Sequence, residues 1–347
     1  MADGAFRQVV RRLIPRRIRW LARTVFRVTT ALYFRNLTRD VHVVMGHLSA
    51  LEEEVATLAR SLGTLAQETE RRSVYVGDHR ILTRIKYGPK MLLDSRDTSI
   101  SMTIALHGVW EPPLTSLFLE IVRPGMTVVD IGAHAGYYTL LACLRTGPSG
   151  RVIAFEPDPR SSEILSTNVR MNGFSGRCSC VRVALSNRRG TQTLHRATEG
   201  PGWNTLWNKD DRLPGLVETT EVETISLDDY LEANGCGAKV DVVKMDAEGS
   251  EGLIIEGMTE TLLANNDIVV ICEFIPDHIK LSGVDPKRML TGIADMGFQL
   301  SYIDHDGRIK AAPVEGLLAE GLLAKGRTET TTLFLKRSGS SQHHLPC

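Results

Sequence analysis

The most regular pattern along the chain is a stripe of apolar residues at Val41, Val44, Leu48, Leu51, Val55, Leu58, Leu62 and Leu65, whose spacings alternate between three and four. This is the a/d repeat of a coiled coil, and it predicts a long helix over residues 40–72. From Val74 the texture changes to short apolar runs separated by amphipathic stretches. The runs predict strands at 127–131, 151–155, 181–184, 240–245, 267–273 and 330–336. Helices are expected at 136–146, 158–172, 226–233, 250–264 and 286–296. Alternating strands and helices imply an α/β fold, a mostly parallel sheet with helices on both faces. Residues 191–225 are polar, contain Trp203 and Trp207, and interrupt the rhythm; they are expected to form an insertion with a hairpin.

Four segments follow from the pattern: a basic amphipathic stretch at 1–39, the heptad helix at 40–72, a catalytic-type domain at 73–337 and a polar tail at 338–347. The first 39 residues hold ten arginines, Arg7 to Arg39, no lysine, and Asp3 as the one acid. Ile14, Ile18, Leu21, Val25 and Leu32 recur between them at helical spacing, interrupted near Pro15. Such a helix can lie on an anionic membrane surface, or its stripe can pack on the rest of the chain. The heptad residues 41–65 have the same two outcomes, self-association into a homo-oligomer or packing on the chain's own domain. The flanking Glu52, Glu54 and Glu68 have no lysine to pair with.

Composition narrows the partners. Forty-one basic and 41 acidic residues cancel, so no global field argues for nucleic acid. The six cysteines show neither a CxxC pair nor regular spacing, which fits a reducing compartment and argues against a disulfide framework or a zinc site. The uncharged stretch Val28–Phe34 is far shorter than the ~20 residues a membrane span needs. The expected location is therefore cytoplasmic, with peripheral contact at the inner membrane face if residues 1–39 bind lipid.

The chemistry concentrates at predicted strand tips. TVVDIGAHAGYY at 127–138 ends its strand on Asp130 and continues through Gly132 to Gly136. Dinucleotide sites use G-x-G-x-x-G to lead pyrophosphate onto a helix N-terminus. A carboxylate in place of the first glycine would repel pyrophosphate and suits a ligand carrying an ammonium and a sulfonium, such as S-adenosylmethionine. Alternatively, the aspartate simply caps the following helix. RVIAFEPD ends in Glu156, where an acid can accept both ribose hydroxyls, and VRVALSN places Ala184 and Leu185 at the expected tip of the third strand. A fourth strand, VDVVKMD, runs into Asp246, Glu248 and Glu251.

With these residues the chain resembles the FkbM family of S-adenosylmethionine-dependent methyltransferases. The matching segments are GVWEPPLT at 108–115, DIGAHAGYYTLLA at 130–142, AFEPDP at 154–159, NVRMNG at 168–173, VALSN at 183–187, TISLDDYL at 224–231, KMDAEGSE at 244–251 and CEF at 272–274. His134 stands where many members carry asparagine. The resemblance implies a class I methyltransferase (Rossmann-like) seven-stranded sheet, S-adenosylmethionine as cofactor, and methyl transfer to a hydroxyl of a sugar, glycan, glycolipid or secondary metabolite. It implies a cofactor set of Asp130, Gly132, Ala133, His134, Gly136, Glu156, Pro157, Ala184, Leu185 and Asp246. Candidates for the base that takes the hydroxyl proton are Glu248, Glu273 and His278, with Glu248 ranked first. Asp246, Glu248 and Glu273 also have the chemistry to hold a divalent ion, a reading placed second to a metal-free site. A NAD-dependent oxidoreductase and a non-catalytic coiled-coil scaffold are the rival functions.

Overall fold

The computed structural model describes residues 19–70, 73–197, 204–207, 217–235, 239–323 and 331–337. The chain divides into two units, Met1–Glu70 and Arg71–Cys347. Within the first, one helix, α1, runs without a break from Arg19 to Glu70. It crosses the expected boundary between the basic and heptad segments; the expected interruption near Pro15 and the start of the basic stretch lie outside the described residues. Val41, Leu48, Leu51, Val55 and Leu58 are 50–59% exposed along it.

The second unit is built on a twisted sheet of β1 (Thr127–Ile131), β2 (Arg151–Phe155), β3 (Cys178–Val181), β4 (Val242–Met245), β5 (Val269–Phe274), β6 (Phe298–Ile303) and β7 (Thr331–Arg337). Their spatial order is 3-2-1-4-5-7-6, and Ile309–Ala311 adds an eighth strand beyond β6. Strands β1 to β5 are parallel, and β7 inserts antiparallel between β5 and β6. This is the class I methyltransferase order. The runs rich in Val and Ile that mark β1, β2, β4 and β5 are buried on both faces, as a covered parallel sheet requires. One core layer gathers Phe118, Leu140, Leu141 and Leu165; the other gathers Ile254, Leu262, Leu290 and Ile293. Cys143 and Cys272 are fully buried in these layers.

Two expectations need correction. The strand expected at 181–184 is Cys178–Val181, and Ala184–Leu185 belongs to a separate three-stranded sheet, where it pairs parallel with Val217–Ile225. The switch occurs because the chain leaves the main sheet at Arg182 and Val183. The helix expected at 250–264 is two helices, Glu251–Glu256 and Thr259–Ala264. A Cβ on Gly257 would stand 2.1 Å from the Ser186 carbonyl oxygen, so the chain turns there on a residue without a side chain. The expected hairpin exists, as Gly190–Ala197 paired antiparallel with Val217–Ile225. β6 was missed because FQLSYI mixes polar and apolar positions on a strand next to the sheet edge.

Two quoted motifs have structural explanations. Asn168 donates to the carbonyls of Leu92 and Ala135 at 2.9 and 2.8 Å and accepts the Leu92 N–H at 2.6 Å. This ties the N-terminal antiparallel sheet of Val74–Asp94 to the loop after β1. In TISLDDYL, Ser226 caps its own helix, while Asp228 accepts the N–H groups of Glu260 and Thr261. That bond secures the helix interrupted at Gly257.

Candidate functional site

The carboxyl ends of β1, β2, β4 and β5 open onto a single cleft of about 1450 Å³. Its two halves are built from different loops. In the first half, Asp130 is almost wholly buried and accepts the Thr139 hydroxyl at 2.5 Å. Burial pushes its carboxyl up to about 6, against the opposing pull of Thr139 and Lys244. The loop that follows lies across β2: the N–H groups of Gly132 and Ala133 both donate to the Phe155 carbonyl at 3.0 Å. His134, at φ 50°, donates its N–H to Glu156 Oε2 at 2.7 Å, and Asp158 donates to Oε1 at 2.8 Å.

Glu156 is thus held in place by two backbone donors. Each oxygen keeps a second lone pair, so the ionised carboxylate has the capacity to accept two further donors. Burial raises it to about 8 despite those donors. Pro157, Ala184 and Leu185 continue the same wall, so Ala184 and Leu185 reach the cleft from the small sheet. Gly136 begins the helix Tyr137–Thr146 at φ 92°. Gly132 has an internal reason to be glycine: at φ 74°, a Cβ would sit 1.8 Å from the Asp246 carbonyl oxygen. The crossing of two strand-tip loops accounts for the glycine.

The second half is the loop after β4. Glu251 accepts the N–H groups of Ala247 and Gly249, both at 2.9 Å, so it closes the loop on itself; burial raises it to about 7. The closed loop presents Glu248 at φ 47°. Its Oε2 stands 3.5 Å from His278 Nδ1, contributed by the short helix Pro276–Leu281. Burial raises Glu248, with His278 opposing; the neighbouring Glu248 raises His278. Asp246 accepts from Lys244 Nζ at 3.3 Å. Among the described residues Glu273 Oε2 is buried without a hydrogen-bond partner, and burial beside Asp246 and Glu248 lifts its carboxyl well above the usual range. Oxygens of Asp246, Glu248 and Glu273 lie within 4.8 Å of one another, a spacing that would also admit a divalent ion.

Residues 130–300 match the methyltransferase FkbM domain. Those residues carry the FkbM methyltransferase domain, which spans just under half of the chain. Among relatives it is 29% identical over 158 residues to methyltransferase sdnD of Sordaria araneosa, covering 38% of this chain and 60% of that one. It is 25% identical over 198 residues to hexuronic acid methyltransferase AglP of Haloferax volcanii, covering 56% and 74%. With 31-O-demethyl-FK506 methyltransferase FkbM of Streptomyces tacrolimicus it shares 26% over 164 residues, covering 40% and 62%. The chain spans about three-fifths of the length of the Sordaria and Streptomyces relatives.

All thirteen residues expected in the FkbM site except Gly136 line this cleft. Three others that sequence reasoning left without a role also line it: Lys244, Glu111 and Tyr138. Lys244 is buried and lies 5.1 Å over the Tyr138 ring. Its charge is sustained, against burial, by Asp246, Glu111, Asp130 and Glu273. A lysine on a strand buried on both faces needs such partners, and this was a signal already present in VDVVKMD. From the hairpin insertion, Thr205 donates to the Glu248 carbonyl at 2.7 Å and Trp207 Nε1 donates to Ser250 at 2.9 Å. Trp207 is therefore tied to the loop after β4, while Trp203 lies outside the described residues.

Proposed function

We propose that the protein transfers a methyl group from S-adenosylmethionine to a hydroxyl oxygen of a sugar, glycan, glycolipid or secondary metabolite. The observation that carries this reading is the meeting of two acid sets in one cleft, Asp130 and Glu156 on one side and Glu248 with His278 on the other. Glu156 would accept the ribose hydroxyls, Ala184 and Leu185 would flank the base, and Asp130 and Asp246 would face the cationic methionine end. The cofactor supplies a methyl group on a sulfonium, already activated for displacement. In the transfer the acceptor oxygen would bond to that carbon as the carbon–sulfur electron pair stays on sulfur, and Glu248 would take the hydroxyl proton. Holding the oxygen in line contributes ~7 to 11 kcal/mol, and the base ~10² to 10⁴ in rate.

An oxygen acceptor is supported by the name of one relative, a 31-O-demethyl-FK506 methyltransferase, and a sugar-acid acceptor by that of another, a hexuronic acid methyltransferase. A dehydrogenase reading accounts for Glu156 but gives the KMDAEGSE loop no task. The test is mass spectrometry of glycans and lipids from cells with and without the chain. A 14-dalton difference is expected, and its absence from every hydroxylated fraction would count against the reading.

For the appendage, we infer a second copy of the chain as the partner of the heptad face, with the arginine-rich stretch holding the assembly near anionic lipid. The support is the exposed row from Val41 to Leu58 on a continuous helix, which a helix alone in water cannot bury. Among the described residues no helix is long and apolar enough to cross a membrane.

A further inference from the structure

Five described residues other than glycine have a positive φ: Asp78, His79, Glu111, His134 and Glu248. Asp78 and His79 turn the hairpin between Val74–Gly77 and Arg80–Arg84. The other three all line the cleft. His134 and Glu248 belong to loops already discussed, but Glu111 does not. It sits at φ 43°, ψ 67°, immediately before Pro112, in a region that both its side chain and the following proline disfavour.

The surroundings impose this conformation. The Glu111 carbonyl accepts the Thr115 N–H at 2.8 Å, Thr115 Oγ1 donates to the Trp110 carbonyl at 2.6 Å, and Tyr138 donates its hydroxyl to Glu111 Oε2 at 2.8 Å. Backbone strain of this kind persists only where neighbours over-determine it, and it gathers at ligand sites.

The carboxylates around Lys244 separate by their other partners. Asp130 takes the Thr139 hydroxyl and is almost fully enclosed, Asp246 takes the Lys244 ammonium, and Glu273 stands with Glu248. Glu111 is half-buried on the cleft wall, and its Oε1 accepts no hydrogen bond among the described residues. It stands beside the helix that follows the Asp130 loop, whose Tyr138 holds it. A carboxylate oxygen left open in a low-dielectric cleft calls for a donor, and a cationic one above all.

We propose that Glu111 is a cofactor-binding residue whose Oε1 accepts the α-ammonium of the methionine moiety of S-adenosylmethionine. This rests on the cofactor reading above, and the experiment separates the two. Titration calorimetry compares S-adenosylhomocysteine with its deaminated analogue, identical except for the ammonium. The wild type is expected to prefer S-adenosylhomocysteine at least tenfold, and Glu111→Gln to abolish the preference by weakening S-adenosylhomocysteine alone. No preference in the wild type, or a preference that survives Glu111→Gln, overturns the assignment; the carboxylate would then serve the acceptor. If Glu111→Gln does not fold, Tyr138→Phe frees the carboxylate from its orienting hydroxyl and should reduce the preference severalfold, and an unchanged preference there also overturns it. A wild type that binds neither ligand would overturn the cofactor reading itself.

Discussion

His278 Nδ1 stands 3.5 Å from Glu248 Oε2 in the cleft, although one residue comes from the helix Pro276–Leu281 and the other from the loop after β4. Glu248→Gln is expected to lower kcat about 10² to 10⁴-fold with S-adenosylhomocysteine affinity nearly intact, because the loss falls on proton transfer. Since burial raises Glu248, activity should fall on the acid side as the base becomes protonated, and the variant should lose that limb of its pH profile. Steady-state kinetics across pH checks both. A chelator added to the same assay tests the divalent-ion alternative at Asp246, Glu248 and Glu273.

Glu156 gives a prediction about protons. Its carboxyl is raised from 4.5 to about 8 by burial, so the ligand-free protein is expected to hold a proton there at neutral pH. Hydroxyls that donate to the carboxylate favour its charged form, so binding should release a proton, and affinity should increase as pH rises toward 8. Calorimetry in buffers of different ionisation enthalpy reads the release directly. Glu156→Ala should weaken binding by about 1.5 to 3 kcal/mol and remove the buffer dependence.

The same group bears on stability. A folded-state value above the unfolded one means that the native chain binds the proton more tightly. Its contribution is present below about 4.5 and is lost as pH rises through 8. Thermal unfolding of the ligand-free protein should therefore show a stability loss over that interval that Glu156→Gln reduces.

Gly132→Ala tests the crossing of the two strand-tip loops. The new methyl group would meet the Asp246 carbonyl oxygen at 1.8 Å in a left-handed backbone. Strain and overpacking together are expected to cost about 2 to 5 kcal/mol. Denaturant unfolding checks this; a change under 1 kcal/mol would mean that the loops separate easily.

The appendage is tested without reference to the cleft. Burying each heptad Leu or Val contributes ~1.5 to 3 kcal/mol, so the full chain is expected to self-associate by light scattering and Leu51→Asp with Leu58→Asp to return it to monomer. Flotation with anionic liposomes should weaken with salt and disappear on deletion of residues 1–39. A monomeric full-length chain would place the stripe against the chain's own domain.

Much of the parallel sheet could be read from the sequence because strands buried on both faces become continuous apolar runs, as in TVVDI and VVICEF. Asp130, Glu156 and Asp246 were legible for a related reason: an acid that ends such a run has few places to lie except a strand tip. The heptad helix was legible because its period is a property of local sequence. Tertiary structure alone decided how residues far apart in the chain come together. Ala184 and Leu185 reach the cleft from a different sheet, a placement that depends on pairing with Val217–Ile225. Gly132 is glycine because of Asp246, and Glu251 faces inward to close its own loop. Lys244 and Glu111, 133 positions apart in number, share one electrostatic environment. Periodicity encodes which face of an element is buried, but which charges meet there depends on how the elements cross, and that is settled only when the sheet has formed.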